Sequence, residues 1–396
     1  MRENTKNLGK YKRIDLSLLV TVIFLICFGL IMVYSTSSYE SAMKFGDSTY
    51  FLKRQSFATM LGLVVLFVTA FIDYHFWKRL SVIIYVVACV CILLVLSPLG
   101  IEANGARRWI GVGSLSFQPA ELAKVAIIIF FAAMLSKKPN LVNKLGTSIA
   151  MLLYAGVMAG LIYIITDNLS SAIIIMGIAY IMIMVTSKNT KWFIIFALVI
   201  VCALGLVLVV GGGFRLTRIM VWMDPESYSK EGGFQTLQAL YALGSGGLFG
   251  KGLGQSVQKL GFVPEAQNDM IFSIICEELG IFGGIALILL FLFMIWRFMV
   301  IANNAQDLFG TLIVVGVMSH IALQVILNIA VVTNTIPNTG ITLPFISYGG
   351  TSVLFLMIEM GLALAVSRRQ KVDYNPRVEV EADMPKRTPV RQTKGR

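Results

Sequence analysis

Charged residues are scarce in this chain. Only 14% of its 396 residues are charged against 57% hydrophobic, with a mean hydropathy of +0.80. No soluble domain of this size needs so much apolar sequence, whereas a bundle that crosses a membrane many times does. Histidine is almost missing, and His75 and His320 stand far apart without ligand spacing, which argues against a structural zinc site. The five cysteines, Cys27, Cys89, Cys91, Cys202 and Cys276, all lie inside apolar stretches. They are expected as buried small hydrophobes rather than disulfides or metal ligands. No DxD pair occurs, which argues against a nucleotide-sugar donor held through a metal. The glycine-rich GSGGLFGKGLGQS (Gly244 to Ser256) lacks the GxxxxGK[ST] spacing, follows no strand and precedes no regular helix. Its glycines are expected to let the backbone pack closely against the membrane surface.

What the chain has instead is long apolar runs. Spans of about 20 apolar residues predict helices over 14–34, 56–73, 79–98, 120–136, 146–165, 169–186, 191–210, 270–300, 309–333 and 346–367. The expected fold is therefore all-α and polytopic, with ten transmembrane helices and a long outer loop, 211–269, between helices 7 and 8. The eighth run is too long for one simple crossing and is expected to tilt or to extend into the cytoplasm. No small-residue cleavage site follows the first run, so it is not expected to be a cleaved signal. The chain divides into a tail at 1–13, a membrane domain at 14–367 and a basic tail at 368–396. Both tails are polar and are expected to be mobile. No internal repeat is evident.

Basic residues set the orientation. With the N-terminus inside, the inner loops and tails carry 22 of the 33 Lys and Arg residues and the outer loops carry 10, leaving Lys124 inside a span. Ten crossings return the C-terminus to the cytoplasm. The net charge of +12 is then a topology signal and an attraction to anionic lipid, and weak evidence for nucleic acid.

In this topology the segments 35–55, 99–119, 211–269 and 334–345 share the outer face. Glu121 and Lys124 fall three apart in the first turns of the fourth helix, on one face. An ammonium at that depth needs a carboxylate or a wet cleft. Glu121 can serve locally, or Asp269, at the outer start of the eighth helix, can serve across the rim. Asp269 itself reads either as a functional carboxylate or as a residue facing the positive end of a helix dipole. Glu277 and Glu278 lie deeper and on other faces, and Glu278 is expected to pair with another helix. The segment FQTLQALYAL (Phe234 to Leu243) puts Phe234, Leu237, Leu240 and Tyr241 on one face, as a short interfacial helix would. Pro, Gly and small polar residues in NTIPNTGITLPFISYGGTS (Asn334 to Ser352) predict a tight non-helical loop, buried in protein or facing a wet cavity. Glu359, well inside the last span, has no assigned role.

Several motifs in order resemble the SEDS family (shape, elongation, division and sporulation) of membrane glycosyltransferases that polymerise peptidoglycan. They are YFLKRQ (Tyr50 to Gln55), GARRWI and FQPAELAK (Gly105 to Lys124), GGLFGKGLGQSVQK (Gly246 to Lys259), PEAQND…EELG (Pro264 to Gly280) and PNTGITLPFISYGGTS (Pro337 to Ser352). YFLKRQ and GLGQSVQK look closer to the FtsW and SpoVE branch than to RodA. The resemblance implies that Asp269 is the catalytic carboxylate and Lys124 its charge partner. Where much of the family has His-Thr before that aspartate and Phe after it, this chain has Gln267, Asn268 and Met270, so any supporting role of that histidine does not transfer. Ala120 stands where Ser is common.

The resemblance further implies lipid II, a disaccharide-pentapeptide on undecaprenyl pyrophosphate, as substrate, and an inverting transfer with Asp269 as general base. Glu121, Arg107, Arg108, Arg215, Arg218 and Lys251 are the expected substrate-binding residues, the cations facing the pyrophosphate. No cofactor is required, though a divalent cation, magnesium or manganese, could share that task. The implied partners are a class B penicillin-binding transpeptidase and other division or cell-wall membrane proteins, and the implied location is the bacterial cytoplasmic membrane. A lipid II flippase and a cell-wall scaffold are the competing readings. If the orientation is right, cysteines introduced at Ser229 and Asn338 react with an impermeant thiol reagent in intact cells and one at Ser187 does not. Labelling at 187 with protection at 229 would overturn it.

Overall fold

The computed structural model describes residues 14–188 apart from 104, 113, 114 and 144, the isolated positions 194 and 198, and residues 213–369. The predicted seventh span, the two tails up to 13 and from 370, and Cys202 therefore lie outside the described residues. Within them the chain is mainly helical, in the order α1 (Leu16–Phe45), α2 (Tyr50–Phe71), α3 (Tyr74–Leu94), β1 (Gly100–Ala103), β2 (Ala106–Val112), β3 (Leu115–Phe117), α4 (Pro119–Lys137), α5 (Leu145–Thr166), α6 (Leu169–Thr186), α7 (Gly213–Met223), α8 (Gly233–Ser245), α9 (Ile271–Asn303), α10 (Leu308–Val332) and α11 (Gly350–Arg368). Among the described residues nine of these, α1 to α6 and α9 to α11, are long and apolar enough to cross a membrane.

Local chemistry sets the helix ends. Asp15, Asn168 and Asp307 accept hydrogen bonds from Leu18 N, Ser171 N and Gly310 N at 2.9–3.0 Å, satisfying amides that the first turn leaves free. Pro119 starts α4, where its missing N–H is no loss. The centre of the bundle is α4, which packs against α3, α6 and α10. Its buried surface includes Ile127, Phe131 and Leu135. At the other extreme, α3 has only 17% of its central window buried and presents most of its surface outward.

Three features differ from the expectation. The segment 99–119 contains an antiparallel sheet, β1-β2-β3, with Ile101 opposite Trp109 and Ile110 opposite Phe117. Helix α1 runs eleven residues past its predicted end at 34, to Phe45. Cys27 is exposed and Cys89 and Cys91 are half-buried, so only Cys276 among the four described free cysteines is the buried hydrophobe expected of them all. Their surroundings are the outer, apolar sides of α1 and α3, where a thiol faces lipid as readily as core.

The long α9 is broken rather than merely tilted. Gly280 has φ 71 and ψ −173, a conformation essentially reserved for glycine. A break in a span frees backbone groups that lipid cannot satisfy, and the glycine-rich loop supplies the partners. Lys251 N and Gly252 N donate to the carbonyls of Glu277 and Glu278, while Ile281 N and Phe282 N donate to those of Gly247 and Leu248, all at 2.9–3.2 Å. The glycines of this loop thus approach the broken helix rather than the membrane surface. A Cβ on Gly246 would stand 2.0 Å from the Cys276 carbonyl, and one on Gly250 2.2 Å from that of Glu278. Helix α8 forms over the predicted segment, with Phe234 and Tyr241 outward, Leu237 and Leu240 half-buried and the small Thr236, Ala239 and Ala242 buried.

At Gly280 an added Cβ would sit 2.3 Å from the Leu248 carbonyl, on a backbone conformation that L side chains avoid. Gly280→Ala should therefore destabilise the solubilised protein by about 2–4 kcal/mol, the sum of backbone strain and steric displacement. The control is Gly156→Ala on α5, where nothing lies within 4 Å, and its effect should stay within about 1 kcal/mol. Equal thermal stability of the two variants would show that the break is not held by this contact.

Candidate active site

Asp269 closes the long outer loop, two residues before α9, and is 8% exposed. Its main chain is fixed from two sides. Asn328 of α10 donates from Nδ2 to the Asp269 carbonyl and to that of Ile341, both at 2.7 Å. Two residues earlier, the Gln267 carbonyl accepts from Tyr348 N at 2.8 Å, and the Gln267 side chain donates to Glu40 at 3.0 Å. The non-helical segment from Thr333 to Gly349 thus forms one wall, buried as predicted through Ile341, Leu343, Phe345 and Ile346. Gln55, the last residue of YFLKRQ, tightens that wall by donating to the Ser347 carbonyl at 3.4 Å and accepting from Gly349 N at 3.1 Å. Gly340 faces the carboxylate, since a Cβ there would lie 3.9 Å from Asp269 Oδ2. Oδ1 is buried and has no hydrogen-bond partner among the described residues.

Lys124 does not meet Asp269. Its ammonium sits 2.8 Å from Glu121, one turn away, and 3.5 Å from Gln324 Oε1. Burial explains the choice. A fully buried ammonium is held by the carboxylate that its own helix brings within reach, and Glu121 needs no rearrangement to supply it. Glu121 in turn accepts from Ser352 Oγ at 3.3 Å. The two sites still share a framework. Gln324 donates to the Thr342 carbonyl at 3.0 Å, next to the Ile341 carbonyl held by Asn328. Gln324 and Asn328, four apart on α10, join the Lys124 pair and the Asp269 loop through residues 341 and 342. Neither was picked out from the sequence, though a Gln and an Asn inside an apolar span are costly enough in lipid to mark a site.

The expected cations separate into groups. Arg218 on α7 donates to the Asn338 carbonyl at 3.2 Å, and Trp222 and Asn334 exchange two bonds at 3.0–3.2 Å that seat α7 on the rim. Arg218 is close enough to act on the Asp269 charge. Arg215 lies on the same helix, with its side chain outside the described residues. Arg107 and Arg108 are carried by β2. Arg107 stands 3.6 Å from Glu102 with both side chains more than half exposed, and Arg108 donates to the Thr166 and Asp167 carbonyls at 3.1 and 2.9 Å. Lys251 is engaged elsewhere, 2.6 Å from the buried Glu277. Its charge neutralises that carboxylate, which also accepts from Ser256, so it is not free for a substrate.

A pattern emerges from the buried carboxylates. Among the described residues there are five: Glu121, Asp269, Glu277, Glu278 and Glu359. Four face a cation or a histidine at 2.6–2.9 Å, namely Lys124, Lys251, Lys259 and His320. Asp269 alone makes no ion pair. Burial raises its pKa to about 7, the nearby Glu265 pushes in the same direction, and backbone hydrogen bonds and Arg218 oppose more weakly. No group of three His, Cys, Asp or Glu side chains among the described residues is arranged to hold a metal.

A multi-pass membrane protein with a buried carboxylate that makes no ion pair among the described residues, set at a covered rim, is the class that fold and site define. Residues 16–372 match the cell cycle protein family of FtsW, RodA and SpoVE, and the chain belongs to it. It is 41% identical to stage V sporulation protein E of Bacillus subtilis, over 89% of this chain and 97% of that protein. It is 38% identical to a probable peptidoglycan glycosyltransferase FtsW of Geobacter metallireducens, over 92% and 97% of the two chains. Among solved structures it resembles a chain of a peptidoglycan synthase complex that coordinates polymerization and crosslinking (TM-score 0.74, 25% identity, 90% and 98% coverage). It also resembles the rod shape determining protein RodA of Thermus thermophilus (TM-score 0.66, 25% identity, 90% and 97% coverage).

The raised pKa has a sign that can be checked. The folded state holds the Asp269 proton more tightly than the unfolded chain, whose aspartates titrate near about 3.9. The stability this contributes is complete below that value and is lost as pH rises through about 7. Asp269→Asn stays neutral throughout. Its stability relative to the native protein should therefore improve progressively from about pH 4 to about pH 7 and level off above, as read by thermal denaturation. A flat difference across that range would place the carboxylate in a solvated or paired setting.

Proposed function

We propose that this protein is a peptidoglycan glycosyltransferase that polymerises lipid II at the outer face of the bacterial cytoplasmic membrane, with both termini in the cytoplasm and Asp269 as general base. The observation that carries the assignment of the base is its isolation. It is the one buried carboxylate among the described residues that faces neither a lysine nor a histidine, and its pKa of about 7 suits a base at neutral pH. Asp269 takes the proton of the 4-hydroxyl of one disaccharide as that oxygen bonds to the anomeric carbon of a lipid-linked strand. The anomeric carbon–oxygen bond to the undecaprenyl pyrophosphate breaks on the opposite face, which inverts the centre. The pyrophosphate leaves with both electrons and needs cations.

Arg218 is the best placed of the expected cations, with Arg215 beside it in sequence and Arg107 and Arg108 on the neighbouring hairpin. A divalent ion would take most of its ligands from the pyrophosphate oxygens. The buried Lys124–Glu121 pair acts as a positioning element through Gln324 and the 341–342 backbone. The class B transpeptidase partner is supported by the likeness to a synthase complex that couples polymerization with crosslinking.

Asp269→Asn keeps the size of the side chain and cannot accept the proton. It should fold, still associate with its transpeptidase partner, and polymerise lipid II in detergent at least about 10²–10⁴-fold more slowly. Detergent removes the two compartments, so a pure transporter has no activity there to lose. Near-native polymerisation by the variant would reduce Asp269 to a helix-end residue, with Glu121 the next candidate. Failure of the native protein and its partner to polymerise at any divalent-ion concentration would favour the flippase or scaffold reading.

A further inference from the structure

We infer that the inner end of α3 and α4 forms a binding site for the phosphate headgroup of an anionic phospholipid. A cavity of about 400 Å³ is lined there by His75, Lys78, Arg79, Ser81, Val82 and Lys137. Three of these six carry a full positive charge, and none of the three has a carboxylate within 4 Å among the described residues. The two acidic side chains nearby are already committed. Asp73 accepts from both the main chain and the ring of His75 at 2.9 Å and pairs with Arg369 at 2.7 Å. Asp307 accepts from Tyr74 at 2.9 Å, from Gly310 N at 3.0 Å and holds the other His75 nitrogen at 3.1 Å. Among the described residues Lys78 is steadied by the Phe309 ring, 5.1 Å away.

Converging cations around a concavity repel one another unless an anion joins them, and a phosphate offers each an oxygen. The wall continues as a lipid-facing track. Val82, at the cavity, is followed four and eight residues on by Val86 and Val90, exposed by 58%, 50% and 46% along one face of α3. A headgroup in the cavity would lay its acyl chain on that row. This favours a membrane phospholipid over a soluble phosphate. The assignment to the inner leaflet rests on the orientation proposed above, whereas the ligand chemistry does not.

The test is lipid binding itself, which is independent of polymerisation. Delipidated protein in detergent is titrated with phosphatidylglycerol, with phosphatidylcholine and with inorganic phosphate, and bound species are counted by native mass spectrometry. The native protein should prefer phosphatidylglycerol. Lys78→Ala/Arg79→Ala/Lys137→Ala should weaken that binding about 100-fold and Lys137→Ala alone about 5-fold, in line with three surface cations acting on one anionic lipid. The double variant Lys138→Ala/Lys188→Ala, on the same face but outside the cavity, should bind as the native protein does. Equal affinity for the two lipids, equal loss in the triple and the control variants, or full displacement of lipid by inorganic phosphate would each overturn the proposal.

Discussion

Lipid supplies no hydrogen bonds, so every backbone group at membrane depth must find its partner within the protein. That constraint organises the outer half of this fold. The break at Gly280 frees carbonyls and amides on α9, and the loop from Gly246 to Gly252 is drawn down to satisfy them. Once seated, the loop brings Lys251 to Glu277 and Lys259 to Glu278. Glu278 also accepts from Ser35 of α1 at 2.7 Å, so the loop, α9 and α1 are joined at one point. The stretch from Thr333 to Gly349 obeys the same rule. Its carbonyls are taken by Gln55, Gln324, Asn328 and Arg218, four side chains from three helices, α2, α10 and α7. Asp269 lies where these two covered segments meet, and its position follows from the need to cover them.

The same economy of polar groups sets the charge at the site. A buried carboxylate without a partner is expensive, and removing one member of a buried pair typically costs about 3–5 kcal/mol. Among the described residues, three of the five buried carboxylates accordingly face a lysine and a fourth, Glu359, faces His320. In the fifth, desolvation is met instead by holding the proton to about pH 7. Proton affinity at Asp269 is raised by burial and by the nearby Glu265, with backbone hydrogen bonds and Arg218 opposing. A direct Lys124 contact would have lowered that pKa. The pairing of Lys124 with Glu121, rather than the pairing the motif resemblance implied, therefore leaves the raised pKa of Asp269 in place.

Much of this was legible from residue order, because the spans are read by length and hydropathy. The helix 169–186 is found where predicted, and most other span ends fall within a few residues. The early stop placed at 34 has a physical cause. Ser35, Thr36, Ser37 and Ser41 look like loop residues, yet Thr36 and Ser37 return their hydroxyls to helix carbonyls at 2.6–2.8 Å and Ser35 faces Glu278. The hairpin strands at 100–117 were too short and glycine-interrupted to register as alternation. Asp269, Arg218 and the 334–352 loop were found as outer-face neighbours because topology alone brings them there. Partner choice was not legible. Whether Lys124 meets Glu121 or Asp269, and whether Lys251 faces substrate or Glu277, depends on distances across the fold that spacing along one helix does not contain.

The mid-membrane residues bear on the transport alternative. Glu359 was the one charge in a span without a role, and the structure gives it a partner in His320, at 2.8 Å with both side chains 1% exposed. A relay for moving charge across the bilayer needs polar groups that hand on to one another through its depth. Here the His320 ring meets Glu359 through Nδ1, and Ser319 next to it bonds back to its own helix at Val315. One turn outward, Gln324 turns to the loop at Thr342 rather than inward. The pair braces α10 against α11, behind the residues that hold the Asp269 loop. Its placement favours a rigid scaffold for chemistry at the rim over a path through the membrane.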